Sequence, residues 1–127
     1  MFTHIMLGAQ DLEASRKFYD AALGAIGIAP GALSNETRYF YRAPTGVFAI
    51  SIPIDGEEAT YANGGTVSFR AHSEAQVDAF YAAGLANGGT PCVSGPNHRE
   101  GSIGPVYLAW IRDPLGNKLC VLYKMNT

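Results

Sequence analysis

The chain contains two copies of one sequence unit, and this duplication restricts it to folds in which two similar modules pair. Shifting the sequence by 62 positions lays residues 4–7 over residues 66–69, and one Phe-Tyr pair (18–19) over another (80–81), without a gap. Such a period far exceeds a heptad or a solenoid repeat. Each copy is therefore predicted to be a unit of several helices and strands.

A second gapless match shows that a similar turn lies near the end of each half. Residues 42–46, Arg-Ala-Pro-Thr-Gly, lie over residues 112–116, Arg-Asp-Pro-Leu-Gly. Duplicated modules usually pair about a pseudo-twofold axis, and this arrangement leaves a crevice between them. Because small ligands bind most often in concave sites between structural units, we expect a small-molecule pocket between the two halves.

At 127 residues, the chain is predicted to be a single domain, residues 1–127, made of two modules at about 1–54 and 64–126. Its 47% hydrophobic and 16% charged residues are typical of a globular protein. The 9 basic residues face 11 acidic ones and form no basic run, so neither nucleic acid nor a membrane is expected as a partner.

We expect no leader segment, because residues 1–7 read directly into a predicted strand, and no later apolar run is long enough to span a membrane. Cys92 and Cys120 fit no Cys-x-x-Cys spacing, so both are predicted to be free thiols of an intracellular protein. We therefore expect a cytoplasmic location.

Each half is predicted to contain a strand, an amphipathic helix and a closing hairpin. Asp11 is a good N-cap for the first helix, and Ser73 with Gln76 forms a capping box that opens the second. The predicted helices are residues 12–23 and 73–85, the predicted strands are 2–9, 37–42, 47–53, 66–71, 90–93, 106–111 and 118–124, and 27–36 and 94–105 are predicted loops. This order predicts an α+β fold of two modules, each containing a strand, a helix and then two or three further strands.

The alternation of side chains along a strand indicates which residues face the crevice. If Ile5 packs under the first helix, His4 points to the opposite face, and the same parity applies to the other strands. Strand alternation selects four equivalent positions around the pseudo-axis, which are His4, Ile50, Thr66 and Cys120.

Several motifs together resemble the vicinal oxygen chelate superfamily, which includes glyoxalase I, bleomycin and fosfomycin resistance proteins and extradiol dioxygenases. These motifs are the opening Thr-His-Ile at residues 3–5, Gly-Thr-Val-Ser-Phe at 65–69 and, above all, Arg-Asp-Pro-Leu-Gly-Asn-Lys-Leu at 112–119. The resemblance covers nearly the whole chain. It implies paired βαβββ modules whose strands form a cup-shaped mixed sheet with the helices outside.

For catalytic members, the resemblance also implies a divalent metal in the cup, held by His or Glu at the four positions selected above. The chain keeps His4, but Ile50, Thr66 and Cys120 stand at the other three positions. A hard divalent ion needs several oxygen or imidazole ligands. We therefore expect neither a metal nor another cofactor.

The candidate pocket residues each leave two interpretations open. His4 is either a general base or surviving metal ligand, or else a polar residue bonded to a neighbouring strand, and it is the best catalytic candidate. Cys120 is either a nucleophile activated by His4 or a small buried apolar residue. Thr66 and Ser68 donate hydrogen bonds either to a ligand or to the backbone.

Three further residues complete the predicted pocket. Tyr107 is an aromatic strand residue that strand parity alone does not assign to the core or the pocket. His98 and Arg99 lie in a Gly/Pro-flanked stretch, which is typical either of a loop at a pocket mouth or of a solvated loop.

Three functions follow from these observations. The first is a glyoxalase-like protein with a small-molecule pocket between its modules and no conventional metal centre. The second is a non-catalytic module that binds a drug or an aromatic compound, and the third is a metal-dependent lyase or dioxygenase with an atypical ligand set. Exposed strand edges further predict a homodimer.

Overall fold

The computed structural model describes residues 1–125, and the predicted end of the second module at residue 126 lies outside that range. The helices are α1 (Leu12–Gly24) and α2 (Glu74–Ala86). The strands are β1 (His4–Gly8), β2 (Ala32–Ser34), β3 (Arg38–Ala43), β4 (Gly46–Ser51), β5 (Val67–Arg70), β6 (Thr90–Pro91), β7 (Asn97–Gly101), β8 (Gly104–Arg112) and β9 (Lys118–Lys124).

The first module is a helix on a four-stranded sheet with the order β1-β4-β3-β2. Asp11 caps α1 as predicted, because its carboxylate accepts a hydrogen bond from the Ala14 amide at 3.0 Å. One face of the helix buries Phe18, Tyr19 and Leu23. The short strand β2 was predicted to be part of a loop.

The second module repeats this plan with the order β5-β9-β8-β6, and β7 pairs with β8. Ser73 caps α2 as predicted, since its hydroxyl accepts from the Gln76 amide. The Gln76 side chain accepts from the amide of His72 and not from that of Ser73, so the reciprocal bond of a capping box is displaced by one residue. Residues 94–105 were predicted to be a loop, but they contain β7. The polar, glycine-flanked sequence of this edge strand gives little alternation from which to recognise it.

One core joins the two modules. Aromatic rings from both halves contact in series, with centroids 4.9 Å apart for Tyr19 and Phe48, 5.1 Å for Phe48 and Phe69, and 5.9 Å for Phe69 and Phe80. Helices α1 and α2 also pack against each other above this core. The structure thereby confirms the α+β class and the pairing of two modules.

No helix within residues 1–125 has the length and apolar character needed to cross a membrane.

Candidate functional site

The opening strands of the two modules turn matching faces away from the core. On β1, Ile5 packs against the core whereas His4 is exposed. On β5, Val67 and Phe69 pack against the core whereas Ser68 is exposed. The predicted strand parity is therefore correct for these two strands.

The placement predicted for Ile50 is wrong. In the parallel pairing of β1 with β4, Ile50 lies beside Leu7, and both contact the core. Ala49 lies beside Met6 on the opposite face and is the true counterpart of Cys120, which lies beside Ser68.

This one-residue error comes from the length of the turns. The first hairpin pairs Arg42 with Val47 and encloses residues 43–46, whereas the second pairs Arg112 with Lys118 and encloses residues 113–117. The gapless match of the two turns conceals one additional residue in the second. Because side chains alternate along a strand, a shift of one residue moves Ile50 to the other face of the sheet.

The placement predicted for Tyr107 and His98 is also wrong. These residues are paired across β8 and β7, and they lie on the face that packs against α2. The Tyr107 hydroxyl donates to Asp78 at 2.7 Å, and His98 Nε2 lies 3.1 Å from the Glu74 carboxylate. Both partners belong to α2, so these side chains do not face the crevice.

Arg99 is one residue further along β7 and faces the other way. Its guanidinium lies 4.7 Å from the centre of the Trp110 ring and bonds to Asn97 and Ser94. Trp110 belongs to a small apolar cluster that includes Cys120 and Leu108. Arg99 thus lies on strand β7 of the second sheet and not in the predicted loop.

A cavity of about 660 Å³ lies between the modules. The first module contributes the residues around the start of β1, the turn at 43–46 and the loop after α1, and the second contributes β5 together with His72. Its polar side chains include His4, Ser68 and Arg70, and its apolar floor includes Phe48 and Phe69 of the core. Of the predicted pocket residues, His4 and Ser68 line this cavity, whereas Thr66, Cys120 and Arg99 do not.

Sequence reasoning missed Arg70, His72 and Tyr41 as cavity residues. The signal for Arg70 was present, because it lies two residues after Ser68 on the same face of β5. Tyr41 gave no such signal, because it packs in the core and its hydroxyl is bonded to Asp20 at 2.8 Å.

The two junctions between the modules differ, although the sequence repeat makes them equivalent. At the closed seam, formed by Gly8, Tyr19, Asp113 and Asn117, the Tyr19 hydroxyl donates to Asp113 at 2.5 Å and Asn117 donates to the Gly8 carbonyl at 3.0 Å. Burial, together with the adjacent carboxylate, raises the pKa of Tyr19 well above its usual value.

The open seam contains the cavity, and the residues that would close it are replaced. Ala43 stands where the second module has Asp113, so this turn has no carboxylate to accept a bond from a tyrosine. Arg70 and His72 stand where the first module has Gly8 and Gln10. The open seam therefore lacks the tyrosine–carboxylate bond of the closed seam, and Arg70 and His72 line the cavity there.

His4 is the side chain in the cavity best suited to acid–base chemistry. Its Nδ1 atom lies 3.0 Å from the Thr3 hydroxyl, and its Nε2 atom has no hydrogen-bond partner within residues 1–125. An imidazole with one nitrogen oriented and the other free is the form needed to accept or donate a proton.

Cys120 lies on β9 and is buried in a small apolar cluster of the second sheet. Desolvation raises the pKa of its thiol, although the Ser68 hydroxyl and the charge of Lys118 act in the opposite direction. The neutral thiol is a poor nucleophile. The arrangement favours the interpretation of Cys120 as a small buried residue.

The donor set does not fit a divalent metal. With the corrected register, the four positions implied by the resemblance hold His4, Ala49, Thr66 and Cys120. An alanine offers no ligand atom, and the thiol is held protonated. Within residues 1–125, no three or more His, Cys, Asp or Glu side chains are grouped as a metal site requires.

Solved structures similar to this chain share its fold along its whole length. A glyoxalase/bleomycin resistance protein from Albidiferax ferrireducens is 56% identical with a TM-score of 0.94, and the match covers 98% of this chain and 99% of that one. A glyoxalase-related enzyme from Fulvimarina pelagi is 22% identical with a TM-score of 0.74, covering 98% and 88%. Lactoylglutathione lyase from Agrobacterium tumefaciens is 20% identical with a TM-score of 0.64, covering 97% and 92%.

No curated protein matches the chain at a significant level. A sequence profile, in contrast, matches residues 1–121, which is nearly the whole of the two modules. The profile agrees with the doubled module and with the similarity to the Albidiferax structure. The chain therefore belongs to the Glyoxalase/Bleomycin resistance protein/Dioxygenase superfamily.

Proposed function

We propose that this protein binds a small organic molecule in the open seam and does so without a divalent metal. The observation that carries the proposal is the cavity of about 660 Å³, which receives side chains from both modules. Its volume lies in the range of small-molecule sites, and its wall combines aromatic rings with a few polar groups, as such sites do.

The loss of metal ligands determines the kind of chemistry proposed. His4 supplies one imidazole, and the three equivalent positions supply no second oxygen or nitrogen donor suited to a hard ion. Recognition then rests on hydrogen bonds and apolar contacts. If the bound molecule is also converted, His4 is the proposed general base.

The test is a screen for ligands by protein-observed NMR in the presence of EDTA, using a library of small aromatic and aliphatic fragments. We expect bound fragments to shift the signals of β5, the 43–46 turn and the start of β1. The His4→Ala variant should bind the best fragment more weakly by about 1–3 kcal/mol, the cost of a lost buried hydrogen bond.

Met6→Ala is the matched control, because Met6 lies on the same face of β1 but does not line the cavity. It should leave the affinity unchanged. Fragments that bind only after Ni²⁺, Zn²⁺ or Mn²⁺ is added would support the metal-dependent lyase or dioxygenase instead. Fragments that bind without any turnover dependent on His4 would support the non-catalytic binding module.

The proposal includes a cytoplasmic location, supported by two cysteines that are not bridged to each other.

A further inference from the structure

The open-seam cavity is lined by a cation and by no carboxylate. Arg70 is a permanent cation in the lining, and His4 and His72 are the histidines there. None of the lining residues is Asp or Glu. The chain as a whole has 11 acidic and 9 basic residues, so this one-sided lining is a local property of the cavity.

Arg70 differs from the other arginines of the second module in having no partner. Arg99 is bonded to Asn97 and Ser94, and Arg112 is bonded to the Gly116 carbonyl and lies over the Tyr61 ring. Arg70 makes no hydrogen bond and no ion pair within residues 1–125. Its five N–H donors are available to a ligand.

The carboxylates in the first turns of α2, those of Glu74 and Asp78, are bonded to side chains other than Arg70. Glu74 bonds to His98 and Asp78 accepts from Tyr107, so both are held against β7 and β8. A free guanidinium beside an acid-free cavity favours an anion, since charge-assisted bonds to Arg are the strongest that a carboxylate or phosphate can make.

The remainder of the cavity is apolar and aromatic. Tyr41, Phe48 and Phe69 line it, with ring centroids 6.2 Å apart for the first pair and 5.1 Å for the second. The Tyr41 hydroxyl is bonded to Asp20, and burial raises its pKa, so it stays neutral and presents its ring. These walls fit a flat or aliphatic hydrocarbon body.

We propose that the ligand of the open seam is an organic anion, with an apolar body against Phe48 and Phe69 and its acidic group on Arg70. This inference rests on the proposed function and specifies the class of molecule bound. The equivalent position in the first module is Gly8, which has no side chain, so this cation belongs to the open seam alone.

The test compares three probes that share one hydrocarbon body, 4-phenylbutyrate, 4-phenylbutyramide and 4-phenylbutylamine, by isothermal titration calorimetry at low salt. We expect the acid to bind about 10-fold more tightly than the amide, and the amine to bind most weakly. In the Arg70→Gln variant the preference for the acid should disappear, while the affinity for the amide should stay the same.

Lys17→Gln is the matched control, since it removes one positive charge from an exposed position on α1 outside the cavity. It should preserve the preference. Equal binding of all three probes, or a preference that survives Arg70→Gln, would overturn the anion inference but leave the pocket in place. Failure of every probe to bind would count against the proposed function itself. If the protein is a dimer and 4-phenylbutyrate dissociates it, the probe competes with a second copy of the chain for the cavity. That result would overturn the anion inference, because the cavity would then be part of the dimer interface.

Discussion

At the residue scale, Gly89 marks a close contact between the two modules. A Cβ atom added to Gly89 would lie 2.8 Å from the Gly84 carbonyl oxygen and 2.7 Å from the Phe18 ring. Phe18 comes from α1 of the first module, so this glycine allows the second module to pack against it. No such contact surrounds Gly24 at the end of α1, where a Cβ would meet nothing within 4 Å.

We expect Gly89→Ala to lower the free energy of unfolding by about 1–3 kcal/mol, because the core must shift to admit the methyl group. Urea unfolding followed by circular dichroism measures the change. Gly24→Ala is the control and should be neutral or slightly stabilising. Equal stability of the two variants would show that the packing around Gly89 is looser than described.

Because of the closed seam, we expect the free energy of unfolding to depend on pH in the alkaline range. The raised pKa of Tyr19 means that the folded protein keeps this proton while the unfolded chain releases it near pH 10.0. The stability contributed by Tyr19 is therefore complete below pH 10 and is lost as the pH rises further. The expected slope is about 1.4 kcal/mol per pH unit for one such group.

Tyr19→Phe should reduce that slope and should lower the stability at pH 7 by about 1–3 kcal/mol, because Asp113 loses a buried hydrogen bond. Unfolding curves collected between pH 8 and 11 measure both effects. A variant whose alkaline slope equals that of the unaltered protein would show that Tyr19 does not carry this proton.

At the element scale, strand parity predicted the faces of β1 and β5 correctly because both strands alternate regularly from their first residues. It failed on β4, since one extra residue in the 113–117 turn changes the register without changing the turn's composition. The sequence pattern shows that residues alternate between the two faces of a strand. The pairing with the neighbouring strand determines which of the two sets faces the core.

The register of β4 predicts that Ile50 is a core residue. Ile50→Ala should cost about 2–5 kcal/mol of stability, because it removes a fully buried side chain from beneath the helices. Met6→Ala, on the exposed face of β1, should cost less than about 1 kcal/mol. Thermal unfolding of both variants tests the assignment, and a small cost for Ile50→Ala would restore the original placement in the pocket.

At the scale of the whole molecule, the two modules form separate sheets, and each sheet has an end strand away from the cavity. β2 pairs only with β3, and β6 pairs only with β8, among residues 1–125. Free strand edges of this kind are commonly covered by a second copy of the chain. The doubled architecture was visible in the sequence, but the difference between the two seams was not, because it depends on how the modules meet.

We therefore predict a homodimer. Light scattering should return twice the 13.5 kDa mass of the chain over a broad concentration range. A mass of 13.5 kDa at every concentration would show that the edges are left uncovered.

The central claim is that the open seam holds the ligand and needs no metal. The most direct measurement is a crystal structure of protein purified in EDTA and soaked with 4-phenylbutyrate. The account predicts density for the phenyl ring against Phe48 and Phe69, with the carboxylate on Arg70 and no ion beside His4. Density for the probe elsewhere on the molecule with the cavity empty, or a metal ion bound to His4, would contradict it.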